Sequence, residues 1–154
     1  MPEIKNSLRV LLLLLGLALL FLTGRAYRLI YPSAEDREAV IRALQRDAEE
    51  LNATLPEMVS ESVRLEATRS GPGNAFQYQL TITDDAVALS IAADPKRMRD
   101  LEAQLHARVC ARMPLYRERG TIVSYLLKDN AGAPIAEISV NPEDCSYADI
   151  HKAL

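Results

Sequence analysis

Two cysteines, Cys110 and Cys145, and two histidines, His106 and His151, are the side chains of this 154-residue sequence best suited to covalent or metal chemistry. A cysteine nucleophile needs a thiolate beside an orienting base, and His106 stands one helical turn before Cys110, where such a base belongs. If Cys110 is instead bonded to Cys145, that chemistry is lost and His106 is a partly buried structural residue. The 35 positions between the cysteines fit neither the short pairs of zinc sites nor a C-x-x-C dithiol. An even, low count suits one structural disulfide formed in an oxidising compartment. Two buried free thiols in a cytoplasmic domain are the alternative. His151, close to the C-terminus, is expected in solvent. The acidic groups Asp84-Asp85 and Glu35-Asp36 with Glu38 have the composition of a metal or acid–base pair, but adjacent acids in turns and first helical turns more often cap or face water. Asn52-Ala53-Thr54 matches a glycosylation acceptor, a three-residue pattern short enough to arise by chance. No catalytic, metal or cofactor set emerges, and an enzyme is not expected.

A binding role has more support. Lys96, Arg97, Arg99, Arg108 and Arg112, followed by Arg117 and Arg119, outnumber the acids Asp94, Asp100, Glu102 and Glu118 among them. Such a stretch suits an anionic lipid headgroup, a cell-wall polymer or an acidic protein. It is also what an ordinary solvated helix face looks like, and both readings stand. Nucleic acid is a poor candidate. The whole chain carries a formal −3, and residues 1–32 hold four basic groups and one acid, so the remainder carries −6. A domain of that charge is repelled by a polyanion, and with no Trp and two Phe it has little to stack on bases.

The N-terminus explains where those groups would act. Val10 to Leu22 is uncharged and nearly all Leu, without the polar face a soluble helix needs. At about 13 residues it is shorter than the roughly 20 that span a bilayer and within the range of a signal core. Two readings follow. In one, residues 8–31 are a retained anchor in membrane lipid, with Arg25 and Arg28 reaching the headgroups and Tyr27 and Tyr31 at the interface. In the other, Gly24-Arg25-Ala26 is a cleavage site and the mature chain starts at Tyr27. The absence of a cysteine near the run excludes a bacterial lipoprotein. Lys5 and Arg9 on one side balance Arg25 and Arg28 on the other, so the cysteines decide the topology: a domain outside the cytoplasm.

The elements that must hold these groups follow from periodicity. Residues 1–32 form the anchor or signal segment and 33–154 one soluble domain. Ser33 is a candidate N-cap, and Val40, Ile41, Leu44, Ala48 and Leu51 recur at helical spacing over 34–52, ended by Asn52 and Pro56. From Met58 the period becomes two: Val63, Leu65 and Ala67, then a reversal at Gly71-Pro72-Gly73, then Phe76, Tyr78, Leu80 and Ile82. Asp94-Pro95 opens a second helix with Met98, Leu101, Leu105 and Val109 as its buried stripe. After Pro114 and Gly120 comes a second hairpin, 121–128 and 134–140, around Asp129-Asn130-Ala131-Gly132. Val123, Tyr125 and Leu127 face the core, opposite Ala136, Ile138 and Val140. The expected fold is α+β in αββαββ order: a four-stranded antiparallel sheet packed with two helices and one disulfide, preceded by the hydrophobic helix.

Leu55-Pro56-x-Met58-Val59, Arg64-Leu65, Gly71-Pro72-Gly73 and Phe76-x-Tyr78, followed by Val109-Cys110, Gly120-Thr121, Tyr125, Gly132 and Pro142-x-Asp144-Cys145, form a collinear pattern over about residues 50–147. It resembles a family of uncharacterised small bacterial exported or membrane-anchored proteins. The resemblance implies an envelope location and paired cysteines, and no established activity. The sequence departs where members often carry Asp after Met-Val and Thr before Arg-Leu; here stand Ser60 and Val63. The functional expectation is a non-enzymatic accessory or protein-interaction module at the inner membrane, single-pass with a periplasmic domain. The alternative is a periplasmic small-ligand or cell-wall-binding domain, cleaved from its leader.

Overall fold

The computed structural model describes residues 34–151. The expected hydrophobic helix over 8–31 and the Ser33 cap lie outside them. Among the described residues, no helix is long and apolar enough to cross a membrane. The chain divides into two compact units, Met1–Glu38 and Ala39–Leu154. The fold described here is that of the second, into which helix α1 (Ala34–Asn52) continues.

Three strands follow α1: β1 (Glu57–Ser60), β2 (Val63–Ser70) and β3 (Ala75–Ile82). Helices α2 (Asp85–Ala93), α3 (Pro95–Arg112) and the short α4 (Pro114–Glu118) carry the chain to β4 (Ile122–Asp129) and β5 (Pro134–Val140). A 3-10 turn (Pro142–Asp144) and α5 (Tyr147–His151) complete it. The α+β class and the Cys110–Cys145 bond are as expected. The strand count and direction are not. The sheet has five strands in the order β1-β2-β3-β4-β5, and β3 and β4 run parallel. A hairpin returns the chain antiparallel to itself, whereas a connection with helices, residues 83–121 here, carries it back across to the end at which β3 began.

Two other departures have local causes. The segment from Met58, expected as the start of one strand, folds back on itself: Glu57 pairs with Leu65 and Ser60 with Val63. The expected Val63-Leu65-Ala67 alternation is broken by an irregularity in β2 between Leu65 and Ala67. Beyond that point the inward position passes to Thr68, 1% exposed, while Ala67 is half-buried. Burying a hydroxyl demands partners. Thr68 Oγ1 donates to the Ala48 carbonyl at 3.3 Å, and the Asn52 side chain pairs with the Thr68 backbone, accepting its N–H at 2.7 Å and donating to its carbonyl at 2.9 Å.

The other expected elements match their sequence signals, and α2, α4 and α5 are additional to the two helices expected. Asp84 caps α2 by accepting from the Ala86 and Val87 amides, and Asp94 caps α3 ahead of Pro95 by accepting from Lys96. Asp84-Asp85 is therefore helix-starting chemistry, with no metal role required. Gly73 turns the β2–β3 hairpin at φ 69° and Gly132 the β4–β5 hairpin at φ 86°, conformations open to glycine. One core joins Ile82, Val109, Val123, Tyr125, Leu127, Ile138 and Val140, with Met98, Leu101 and Leu105 of α3 packed on it. A second joins Leu44 and Ala48 of α1 to Phe76. The opposite, polar face of the sheet is held by its own bonds. Arg64 contacts Glu66 at 2.7 Å, Gln79 donates to Gln77 and Gln77 to Glu137. A hydrogen bond from Thr81 and then the Arg64 pairing hold the Glu66 carboxyl below its usual range.

Candidate functional site

Helix α3 sits between two surface grooves. It is positioned by the Asp94 cap, by its packing on the sheet, and by Arg117, whose guanidinium donates to the Cys110 carbonyl near its end. On one side a groove of about 440 Å³ opens between the last turns of α1 and the α3–α4 junction. Leu51, Met113 and Leu115 supply its apolar surface, with Asp47, Glu50 and Arg112 around it. Leu51 is 37% exposed and Leu115 61%, unusual for large aliphatic side chains that share one concavity. The helical spacing places Leu51 on the same apolar face of α1 as Leu44 and Ala48. That face is buried at Leu44 and Ala48, but Leu51 lies in the last turn, beyond the cover of Phe76. Asp47 is fixed by Arg119 at 3.3 Å, which ties the loop before β4 to α1. Asn74 reinforces that loop, accepting from Thr121 Oγ1 at 2.7 Å and donating to the Arg119 carbonyl.

The second groove, about 410 Å³, lies along α3 towards Asp149, with Leu105, Gln104, Arg108 and Arg112 on its wall. The five basic residues singled out from sequence do not form one surface. At about 100° per residue, Arg97, Arg108 and Arg112 fall on one flank of α3 and Arg99 nearly opposite. Lys96 falls on neither flank. Arg97 is already engaged, donating to Ser90 Oγ at 3.1 Å and lying 3.9 Å from Asp94. Arg108 and Arg112 are what the structure brings together, one turn apart, and Arg112 borders both grooves.

Cys110 and Cys145 are bonded, with Cα atoms 5.5 Å apart, so neither is a free nucleophile. The bond fastens the last turn of α3 to the segment leaving the 3-10 turn. His106 is half-buried against it, its Nδ1 3.8 Å and Nε2 3.7 Å from Cys110 Sγ. The side chain of His151 lies outside the described set.

Beneath the first groove the rings of four residues touch in series, two pairs stacked and one edge-on. Tyr116 lies on Phe76 at 5.1 Å, Tyr78 meets Phe76 edge-on at 5.2 Å, and Tyr125 lies on Tyr78 at 5.4 Å. Burial raises the pKa of all three tyrosines above the ordinary 10.0; the neighbouring Tyr78 pushes Tyr116 and Tyr125 further in the same direction. Each phenol holds its proton more tightly folded than unfolded. The stabilisation is therefore complete below the unfolded value near pH 10 and is lost as the pH rises from there towards the folded values. In a spectrophotometric alkaline titration, three of the six tyrosines should ionise only together with loss of the native circular dichroism. Six independent titrations in the folded protein would refute this.

No protein-family model matches the chain, and no curated protein does. Its fold matches solved structures. A secreted protein of Pseudomonas aeruginosa superimposes with TM-score 0.62 at 18% identity, covering 74% of this chain and 99% of that one. A pilotin of the Vibrio vulnificus type 2 secretion system gives 0.61 at 17% identity, covering 74% and 98%. The Vibrio cholerae type II secretion pilotin gives 0.56 at 16% identity, covering 73% and 97%. Identities this low show a shared fold.

Proposed function

We propose that the chain is a non-enzymatic accessory of the bacterial cell envelope that holds another envelope protein against the groove between α1 and the α3–α4 junction. The observation that carries the reading is that groove, where Leu51 and Leu115 stand exposed on a framework stapled by a disulfide. Exposed aliphatic side chains in a concavity, ringed by Asp47, Glu50 and Arg112, suit a protein partner that inserts apolar side chains. A fold shared with a secreted protein and two secretion-system pilotins supports the compartment. On this reading residues 8–31 tether the domain to the inner membrane through lipid, with the domain in the periplasm. The second reading, a periplasmic cell-wall or small-ligand domain, is favoured by Arg108 and Arg112 beside the other groove, a pair suited to an anionic polymer.

A photo-crosslinking amino acid at position 115 tests the proposal in intact cells. It should give one defined adduct with an envelope protein, lost when Leu51→Glu is added. The same probe at Leu89, 69% exposed on α2, should give none. Identical adducts at 89 and 115, or none at 115, would count against the groove.

A further inference from the structure

The disulfide has a neighbour that its role as a staple does not require. His106 and Cys110 are four residues apart on α3, the spacing that puts two side chains on one face of a helix. Cys145 is brought to the same point from the far end of the domain. A nitrogen of His106 and the sulfurs of Cys110 and Cys145 all lie within 4.8 Å of one another. Among the described residues, the His106 ring nitrogens make no hydrogen bond other than their contacts with Cys110 Sγ. That sulfur is almost equally distant from both nitrogens, so neither is committed to a directed bond.

We propose that reduction of Cys110–Cys145 converts this cluster into a site for a thiophilic divalent cation, of which Zn²⁺ is the representative, with Cys110, Cys145 and His106 as its protein ligands. With zinc bonds of about 2.3 Å to sulfur and about 2.0–2.1 Å to nitrogen, ligand atoms in a tetrahedral site stand roughly 3.5–3.8 Å apart. The His106–Cys110 separations, 3.7 and 3.8 Å, already have that value. Cys110 is fully buried and fixed in the helix, whereas Cys145 is half-buried in the connection between the 3-10 turn and α5. Cys145 is therefore the ligand that shifts to open the sulfur pair.

The chemistry balances in two steps. A dithiol reductant delivers two electrons and two protons to the bond, giving two thiols and itself becoming a disulfide. The cation then displaces both thiol protons, which pass to solvent, and neutral His106 donates a ring lone pair. Three protein ligands leave one coordination position for water or an incoming donor. The covalent fastening of α3 to the C-terminal segment is thereby exchanged for a coordinated one.

The test uses the full, untagged chain, reduced with a phosphine that is then removed, and titrated anaerobically with Co²⁺ as the probe. One equivalent should develop a thiolate-to-cobalt charge-transfer absorption, and Zn²⁺ should abolish it. The oxidised chain should develop none. His106→Ala should weaken Co²⁺ binding at least about tenfold, since even groups that only support a ligand change affinity by 10–100-fold. The same variant should leave the melting temperature of the oxidised protein unchanged, which separates coordination from packing. A reduced chain without the absorption, folded or unfolded, overturns the proposal. So does a His106→Ala variant that binds Co²⁺ as tightly as the parent.

Discussion

Phe76→Ala should destabilise the domain by about 3–5 kcal/mol in urea unfolding, the most damaging truncation of one side chain expected here. Phe76 is 0% exposed at the start of β3, the middle strand, and is where three elements converge. Leu44 and Ala48 of α1 pack on its ring, Tyr116 of α4 stacks on it, and Tyr78 meets it edge-on. Removing the ring loses its transfer free energy and two aromatic pairs, each about 0.5–1.5 kcal/mol, and leaves a cavity that Leu44 cannot fill from a helix backbone. Phe76→Leu retains most of the apolar volume and should cost less than about 1.5 kcal/mol. Leu89→Ala, on an exposed site, should stay within about 0.5 kcal/mol. A Phe76→Ala loss near that of Leu89→Ala would mean that α1 is not held through this contact.

The second large effect is expected from the staple. Replacing Cys110 and Cys145 together by alanine frees a loop spanning 35 positions that contains α4, β4 and β5. The loop-entropy argument gives a loss of about 4 kcal/mol at 25 °C. For a domain of this size the melting temperature should fall by about 15 °C. Alanine also deletes the buried sulfur of Cys110, so the reduced parent chain, which keeps that sulfur, is the control that isolates the cross-link. A fall of only a few degrees would show that packing of α3 on Val123, Tyr125 and Val140 suffices without it.

Much of the fold was legible because its elements announce themselves locally. Residues 34–52 and 95–112 carry helical spacing and the second an Asp-Pro start; the glycines at 73 and 132 mark turns that the chain makes. What was hidden depends on relations between distant residues. Asp85–Ala93 places Ala, Val, Leu and Ile around the whole helix, so it has no polar face for periodicity to find. The inward turn of Thr68 depends on a shift of register against β3, and the parallel β3–β4 pair on the path of three intervening helices. The same holds for the surface. Cys110 and Cys145 were readable as a pair because their chemistry is rare. The groove was not, because Asp47 and Leu51 meet residues 112–115 only once α1 and α4 have both settled on Phe76.

Asn52 carries a consequence that extends beyond its own hydrogen bonds. Its amide offers the Thr68 backbone a carbonyl and an N–H together, as one peptide unit of a neighbouring strand would. β1 pairs with β2 only as far as Leu65, and Asn52 takes over as a surrogate peptide where that neighbour ends. A foreign strand cannot zip onto this stretch without evicting it, which guards an open sheet margin against runaway polymerisation. The same grip indexes the helix to the sheet. Were α1 to rotate or slide by a single residue, the amide would swing out of reach, so one side chain sets the phase of a 19-residue helix.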